Sequence, residues 1–345
     1  MKPPAPRTIS VVGCHAEGEV GDVIIGGVLP PPGSNMMQKK LAFERDFDHI
    51  RHLLIQEPRG SVARHVNLIV PSTRPDCIAG AIIMEPTEYP PMSGSNSICI
   101  ATVLLEAGMV PMVEPETRFS LDMPGGKVDI LAECEGGKCR SVTIHNVASF
   151  ALKLDAALEL KGHGTIAIDI AYGGMIYAIC EARALGFAIA PDEARDLALL
   201  GERIRAAARE QHPVVHPELP EVRDVSIVQI AGPLERVDGG YEAINTCIVS
   251  PGRSDRSPTG TGTSARMAAL YARGMLKVGE GLTHTSIIGS RFVGRIVGLA
   301  SVAGGPAILP SITGRAWITG FHHYRLDPTD PWPEGYRVAD TWGSE

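Results

Sequence analysis

The sequence predicts a duplicated fold in which two similar halves combine short strands with a few helices. Two loop segments carry this prediction, because a hydroxyl residue and a glycine stand before a small polar run at 93–97 and again at 259–263. Each loop leads into about ten helix-forming residues that stop at a glycine suited to a helix C′ position, Gly108 and Gly274 respectively. The order strands, long helix, strands, glycine loop, helix, strands also occurs twice.

Length and composition indicate a two-domain globular protein. At 345 residues the chain is long for one hydrophobic core, and a prior of roughly 150 residues per domain gives two domains. A hydrophobic content of 44% with 21% charged residues is ordinary for this class. The net charge of −7 argues against nucleic acid or an anionic membrane as the main partner, since both require a basic surface.

Targeting and disulfide signals are weak in this sequence. The N-terminus has no apolar run of signal-sequence length and no 18-residue apolar segment occurs, so we expect a cytoplasmic protein. Seven cysteines, an odd and sparse number, fit free thiols better than disulfides. Cys134 and Cys139 flank a predicted turn, where we expect two solvent-side thiols rather than a zinc site. His322 and His323 are expected at the surface or an interface.

In the first half, apolar residues recur at helical spacing between 35 and 56 and predict one long helix. Around it, β-branched and alternating runs predict strands at 8–12, 22–28, 66–70, 77–85, 118–122, 127–133 and 139–144. Gly136 and Gly137 indicate a hairpin turn between the last two of these strands.

In the second half, Pro191 and Asp192 begin a strong helix that is predicted to extend to residue 209. Strands are predicted at 164–170, 175–180, 225–230, 242–249, 284–288, 291–299 and 315–319, the last of them completing this half. The tail 327–345 is too rich in proline at its start for regular structure, and we expect it to pack on the first half.

The segment Gly260-Thr261-Gly262 literally begins a dinucleotide-binding pattern, with Ala265 as its last small residue. That fingerprint requires a strand running directly into the first glycine. Here the approach is irregular, since it contains Pro251 and Pro258. A nucleotide site is therefore disfavoured, and the sequence also lacks the motifs of zinc hydrolases and of the serine hydrolase elbow.

The two loops are instead suited to anions. At a helix start, free backbone N–H groups and the positive end of the helix dipole face whatever lies before the helix. Two such starts holding one carboxylate would leave Ser93 and Thr259 on opposite sides of its α-carbon. The alternative is structural, because serine and threonine are also favoured N-cap residues.

At these loops the chain resembles the proline racemase family. Members carry loops of the type Met-Cys-Gly-His-Asn-Ser and Asp-Arg-Ser-Pro-Cys-Gly-Thr-Gly-Thr, where this sequence has Met-Ser-Gly-Ser-Asn-Ser at 92–97 and Asp-Arg-Ser-Pro-Thr-Gly-Thr-Gly-Thr at 255–263. Segments 57–60, 171–174 and 287–290 also resemble the family, so the similarity spans nearly the whole chain.

The resemblance implies an α+β fold of the diaminopimelate epimerase type with two pseudo-symmetric domains. Each is expected to be a curved, mostly antiparallel sheet around a central helix, with residues 1–150 plus 325–345 in one domain and 151–324 in the other. The active site would lie in the cleft between them. The resemblance also implies an enzyme without cofactor or metal that acts on proline or a hydroxyproline, and a homodimer is a family-level expectation.

The resemblance also implies roles for individual residues. Ser93 and Thr259 stand where the two acid/base cysteines of the family belong. Asp255 stands where a carboxylate meets the ring nitrogen. The remaining residues expected to contact the substrate belong to the two helix starts: Gly94, Ser95, Asn96, Gly260 and Thr261.

The departures from the family motif suggest the reaction. A racemase needs a titratable group on each face of the α-carbon, and a threonine hydroxyl titrates far above any working pH. Members with threonine at the second position resemble trans-3-hydroxy-L-proline dehydratases, which form Δ1-pyrroline-2-carboxylate and need no opposite-face reprotonation. We therefore predict dehydration, with Ser93 as proton acceptor and Thr259 as the hydrogen-bonding group on the other face. The helix dipole and a nearby carboxylate or His15 are the expected help for Ser93. A hydroxyproline 2-epimerase or proline racemase and a non-catalytic imino-acid binding protein remain alternatives.

Overall fold

The computed structural model describes residues 8–342. The strands within this range are β1 (Thr8–Ala16), β2 (Glu19–Gly26), β3 (Arg64–Val70), β4 (Ala79–Met84), β5 (Glu116–Met123), β6 (Gly126–Glu135), β7 (Lys138–His145), β8 (Phe150–Leu160), β9 (Gly164–Tyr172), β10 (Ile176–Glu181), β11 (Ile227–Ala231), β12 (Glu235–Val237), β13 (Gly240–Val249), β14 (Arg253–Ser254), β15 (Gly281–Thr285), β16 (Arg291–Val302), β17 (Gly305–Gly314) and β18 (Ala316–Arg325). The helices are α1 (Met36–Asp46), α2 (Asp48–Ile55), α3 (Gly94–Glu106), α4 (Ala182–Leu185), α5 (Ala194–Gln211), α6 (Gly260–Ala272) and α7 (Ala339–Trp342).

The chain forms two compact units. Among the described residues, the first contains 8–144 together with 315–342, and the second is His145–Gly314. Each unit has its own apolar core: Phe43, Leu68 and Ile82 belong to the core of the first unit, and Ile170 and Ile204 to that of the second.

The two units repeat one sheet topology. In the first unit the strand order is β18-β1-β2-β3-β4-β5-β6, and successive neighbours are antiparallel, antiparallel, parallel, antiparallel, parallel and antiparallel. In the second unit the order β8-β9-β10-β11-β13-β15-β16 has the same succession of directions. The predicted α+β fold with two similar, mostly antiparallel halves is therefore confirmed.

One buried helix runs against the sheet of each unit. Helix α3 packs on β1 and β2, and α6 packs on β8 and β9. Both have 13 residues. Both are followed by a glycine in the left-handed region, Gly108 with φ 69° and Gly274 with φ 70°. The local signals at the two ends of these helices were therefore sufficient to predict them.

The strand predicted at 315–319 to complete the second half is misplaced. It is β18, which pairs with β1 through contacts such as Cys14 with Ile318 and thus belongs to the first unit. Its counterpart in the second unit is β8, for which no strand was predicted. Strand β8 is rich in good helix formers, namely leucine, alanine, lysine and glutamate. Its pairing with β9 makes it a strand in spite of this helix propensity. Strand β17 was also missed, because Pro306 and Pro310 interrupt its strand pattern.

Two further expectations are corrected. The predicted helix at 35–56 is two helices, because Phe47 leaves the helical conformation (φ −125°, ψ 11°) and stacks its ring 5.4 Å from that of Phe43. Cys134 and Cys139 do not face solvent but are buried, in sulfur contacts with Thr117 and Thr102. All seven cysteines lie within the described residues and are free thiols.

The end of the described chain packs on the first unit, as predicted for the tail. Tyr336 forms a β-bridge with Glu57, and Trp342 is buried in the core of that unit. Among the helices of residues 8–342, none has the length and apolarity needed to cross a bilayer.

Candidate active site

Ser93 stands at the N-cap of α3 but does not act as a side-chain cap. Its backbone is extended, and its hydroxyl makes no capping hydrogen bond to the helix. Instead Ser93 Oγ accepts a hydrogen bond from Asn96 Nδ2 at 2.9 Å, with Ser95 Oγ at 3.5 Å. The first turn is secured by Ser97, whose hydroxyl donates to the carbonyl of Ser93 at 2.8 Å. The Ser93 hydroxyl thus does not cap the helix, which was the structural alternative considered for this residue.

A buried hydrogen-bond network lies behind Ser93. Asn67 Nδ2 donates to Asn96 Oδ1 at 2.9 Å, and Asn96 Nδ2 lies 3.2 Å from His65 Nδ1. His65 in turn lies 3.5 Å from a carboxylate oxygen of Glu19 and 3.5 Å from one of Glu85. Sequence reasoning missed this network, since its members come from distant segments.

Thr259 stands at the N-cap of α6 and likewise makes no capping hydrogen bond with its side chain. Its hydroxyl donates to Asp255 Oδ2 at 2.7 Å. The other Asp255 oxygen accepts from the backbone N–H and the hydroxyl of Ser257, at 2.7 and 2.9 Å. The hydroxyl of Thr263 donates to the Thr259 carbonyl at 2.9 Å, as Ser97 does in the first unit.

The backbone of Thr259 is strained. Its φ of 62° lies in the left-handed region, which a β-branched residue rarely adopts. Such conformations cost of order 1–3 kcal/mol and occur preferentially at functional sites. This conformation accompanies the hydrogen bond between Thr259 and Asp255.

Cys247 is a buried thiol beside the second loop. Burial raises the pKa of the Cys247 thiol well above its ordinary value, although a hydrogen bond with Thr259 opposes that shift. Burial thus disfavours the thiolate form of Cys247, which is the form that would act as a base.

The other predicted contact residues lie at the two helix starts. Gly94 and Ser95 are the first residues of α3, and Gly260 and Thr261 are the first residues of α6, where backbone N–H groups have no intrahelical acceptor. The Thr261 side chain is turned inward, with its hydroxyl 2.6 Å from the hydroxyl of Tyr177. The Thr261 hydroxyl is thus engaged with Tyr177, while the Thr261 backbone N–H lies at the start of the helix.

Gly173, in the segment 171–174, lies too close to the start of α6 for any side chain. A Cβ at this position would lie 2.1 Å from the carbonyl oxygen of Thr261 and 2.5 Å from the nitrogen of Ala265. Only glycine therefore allows the first turn of α6 to pack directly on this backbone.

His15 is not the partner of Ser93 that the sequence suggested. Its ring stacks on Trp317 at 5.2 Å, and its Nδ1 accepts from the N–H of Gly18. Among the described residues, the side-chain hydrogen-bond partners of Ser93 Oγ are Asn96 and Ser95. The short side-chain contact of Ser93 Oγ is thus with an amide and not with an imidazole.

Comparisons with known proteins agree with this fold. A model of the proline racemase family matches residues 11–337. A hydroxyproline epimerase from Agrobacterium vitis, solved with bound trans-4-hydroxy-L-proline, is 40% identical with a TM-score of 0.92 and covers 98% of both chains. A probable proline racemase from Agrobacterium radiobacter K84, solved with bound carbonate, is 39% identical with a TM-score of 0.92, over 97% of this chain and 98% of that chain.

A more distant structure shares the fold alone. A phenazine biosynthesis protein of the PhzF family from Bacillus anthracis is 12% identical with a TM-score of 0.54, over 92% of this chain and 99% of that chain. The fold and the paired helix starts thus define a two-unit α+β protein of the diaminopimelate epimerase type. Within that class, the chain belongs to the proline racemase family and is an enzyme of that family.

Proposed function

We propose that this enzyme dehydrates trans-3-hydroxy-L-proline to Δ1-pyrroline-2-carboxylate without a cofactor. The observation that carries the proposal is in the second loop, where Thr259 stands in place of a thiol and its hydroxyl donates a hydrogen bond to Asp255. An epimerase must return a proton to the opposite face of the α-carbon, which requires a titratable group there. A threonine hydroxyl held by a carboxylate does not provide one.

The stereochemistry of this substrate allows one residue to do the acid and base work. In the trans isomer the 3-hydroxyl lies opposite the carboxylate and hence on the same face of the ring as the α-proton. Ser93 Oγ takes the α-proton while its own hydroxyl proton passes to the departing 3-hydroxyl. The C–H and C–O bonds break, a C2–C3 double bond forms, water leaves and Ser93 ends neutral.

The remaining step needs no second base on the α-carbon. The enamine takes a proton at C3 and loses one from nitrogen, which yields the cyclic imine with no net change in protons. This route also avoids a free serine alkoxide, which would be costly because a hydroxyl titrates far above neutral pH.

Substrate binding is proposed to use both loops on the same molecule. The N–H groups at the starts of α3 and α6 would hold the carboxylate, including those of Gly94, Ser95, Gly260 and Thr261. Asp255 would pair with the ring ammonium. A titration of the protein with L-proline should then give one site per chain, with affinity lowered by substitutions in either loop.

A substrate panel tests the reaction. Purified protein is incubated separately with trans-3-hydroxy-L-proline, trans-4-hydroxy-L-proline and L-proline, and the cyclic imine and the 2-epimers are quantified. The proposal expects the imine from the 3-hydroxy isomer only. Absence of the imine together with 2-epimer from the 4-hydroxy isomer would overturn it, and saturable binding without turnover would indicate a binding protein.

Hydroxyproline 2-epimerisation is the second candidate. It is favoured by one finding, the 40% identity over nearly the whole chain to a hydroxyproline epimerase. In that case a group other than Thr259 must reprotonate the α-carbon. The same panel separates the two reactions, because only epimerisation leaves the 3- or 4-hydroxyl on the product.

A further inference from the structure

The orientation of the Asn96 amide is set from behind by Asn67. Asn67 Nδ2 donates to the backbone carbonyl of Asp22 at 3.1 Å and to Asn96 Oδ1 at 2.9 Å. A carbonyl oxygen only accepts hydrogen bonds, so the Asn67 nitrogen, and not its oxygen, must face Asp22. The Asn96 oxygen must then face Asn67, which directs the Asn96 nitrogen towards Ser93 and His65.

The packing around Asn96 leaves this side chain little freedom. Asn96 and Asn67 are almost completely buried. Gly21 on β2 makes room for the amide, because a Cβ there would lie 2.8 Å from Asn96 Oδ1. The second hydrogen of the Asn96 nitrogen faces His65 Nδ1 at 3.2 Å, closer than the carboxylate of Glu85 at 3.5 Å from the same ring nitrogen.

The direction of the Asn96–Ser93 hydrogen bond has a chemical consequence. An amide nitrogen only donates, so Ser93 Oγ is the acceptor and its own hydroxyl proton is not used in this contact. The Asn96 contact thus uses one lone pair of Ser93 Oγ and not its proton, and the other printed partner is Ser95 Oγ at a long 3.5 Å. A substrate that displaces this long contact meets the second lone pair and the hydroxyl proton, the two features that the elimination requires. Negative charge that develops on Oγ would be stabilised by the same N–H.

We propose that Asn96 is a positioning residue that acts through Ser93. Asn67 fixes the orientation of the Asn96 amide, so that its nitrogen and not its oxygen faces Ser93. This inference rests on the proposed use of Ser93 as proton acceptor, and it replaces the role in substrate binding expected for Asn96. In the second unit Gly262 occupies the corresponding place, three residues after Thr259, so the second loop has no equivalent donor.

The decisive comparison is Asn96→Asp against Asn96→Ala. Aspartate keeps the size and the acceptor for Asn67 but removes the donor, and its carboxylate would capture the Ser93 proton. Turnover should fall about 10²–10³-fold in Asn96→Asp, the usual cost of removing a donor to developing charge. The fall should be smaller in Asn96→Ala, which leaves that proton available. A side chain that only packs would give the reverse order.

The readout is release of deuterium into water from α-deuterated trans-3-hydroxy- and trans-4-hydroxy-L-proline, measured beside the dissociation constant for L-proline. Turnover should fall while the dissociation constant changes less than about threefold, because the amide acts on Ser93 and not on the ligand. Thr102→Val is the matched control, because it removes a buried hydroxyl from the same helix. This hydroxyl contacts Cys139 and not Ser93. It should retain wild-type turnover.

Asn67→Ala provides a second variant in case Asn96→Asp does not fold. It leaves Asn96 in place but frees its amide to rotate, so a loss between those of Thr102→Val and Asn96→Asp is expected. Wild-type turnover in the folded Asn96 variants, or a milder effect of aspartate than of alanine, would overturn the inference. Deuterium release by the wild-type enzyme without imine refutes dehydration alone, and the comparison among variants still decides the role of Asn96.

Discussion

The Thr259 hydroxyl donates a hydrogen bond to the carboxylate of Asp255 at 2.7 Å. At the corresponding place in the other unit, the Ser93 hydroxyl oxygen accepts a hydrogen bond from the amide nitrogen of Asn96 at 2.9 Å. Two residues at equivalent helix starts thus have opposite hydrogen-bond roles. Ser93 Oγ is the acceptor in its short contact and Thr259 Oγ1 is the donor in its own, and the proposed dehydration uses this asymmetry.

Ser93→Ala should abolish loss of the α-proton. General base catalysis is typically worth 10²–10⁴-fold, so the rate of α-proton exchange in heavy water should fall by about that factor. The dissociation constant for L-proline should change less than about threefold, because the helix-start N–H groups remain. Exchange at the wild-type rate would mean that another residue is the base.

Thr259→Cys should introduce epimerisation. A thiol has an ordinary pKa near 8.5, which a helix start lowers, so it can return a proton to the second face. We expect 2-epimer formation from trans-4-hydroxy-L-proline at least about tenfold above wild type, measured by chiral chromatography. Thr259→Ser, which keeps a hydroxyl, is the control and should form none above background. Equal epimer formation by both variants would contradict the assignment.

Asp255→Asn should weaken both the substrate and the second loop. The amide loses the charge proposed to pair with the ring ammonium, and removing one partner of a buried charge pair costs about 2–5 kcal/mol. Affinity for L-proline, measured by calorimetry, should fall about 30-fold or more. Unchanged affinity would place the ring nitrogen elsewhere and leave Asp255 with a structural role as acceptor for Thr259 and Ser257.

Gly173→Ala should destabilise the second unit. The new Cβ would overlap the backbone of Thr261 and Ala265, and overpacking of this kind typically costs about 1–3 kcal/mol. Gly298→Ala in the same unit is the control, since its Cβ would meet nothing closer than 3.4 Å. Urea unfolding should show the loss in the first variant alone. Equal stability of the two variants would mean that the start of α6 can shift.

His284 should make stability depend on pH. Burial, with Arg266 nearby, lowers the pKa of His284 to about 3. Below its unfolded pKa of about 6.5 the unfolded chain gains a proton that the folded protein refuses, so this stability contribution falls as pH decreases from 6.5 towards 3. Between pH 7 and 5 the folded state should lose about 2 kcal/mol through this group.

The measurement compares the free energy of urea unfolding at pH 7 and pH 5 in wild type and His284→Gln. The variant should lack the loss attributed to the histidine, even though its stability at pH 7 is lower. His163→Gln, at an exposed histidine of the same unit, should keep the wild-type dependence. The same pH dependence in all three proteins would show that His284 is protonated in the folded state.

The central helices and the two loops were predictable because their signals are local. A hydroxyl residue with a glycine begins α3 and α6, and a glycine in the left-handed region follows each. Strand β8 was not predictable in this way, since its composition favours a helix and only its pairing with β9 makes it a strand. The pairing of β18 with β1 could not be predicted either, because the two strands lie at opposite ends of the chain.

By itself, the sequence determined the duplicated α+β fold, the family and the positions of Ser93, Thr259 and Asp255, since these depend on motifs within a few residues of one another. Only the tertiary structure decided whether each hydroxyl, that of Ser93 and that of Thr259, donates or accepts its short hydrogen bond. Asn67 reaches Asn96 from another strand, and Thr259 meets Asp255 through a left-handed backbone that no propensity predicts. Hydrogen-bond direction depends on which atoms the fold brings within about 3 Å, and a linear pattern does not contain that distance.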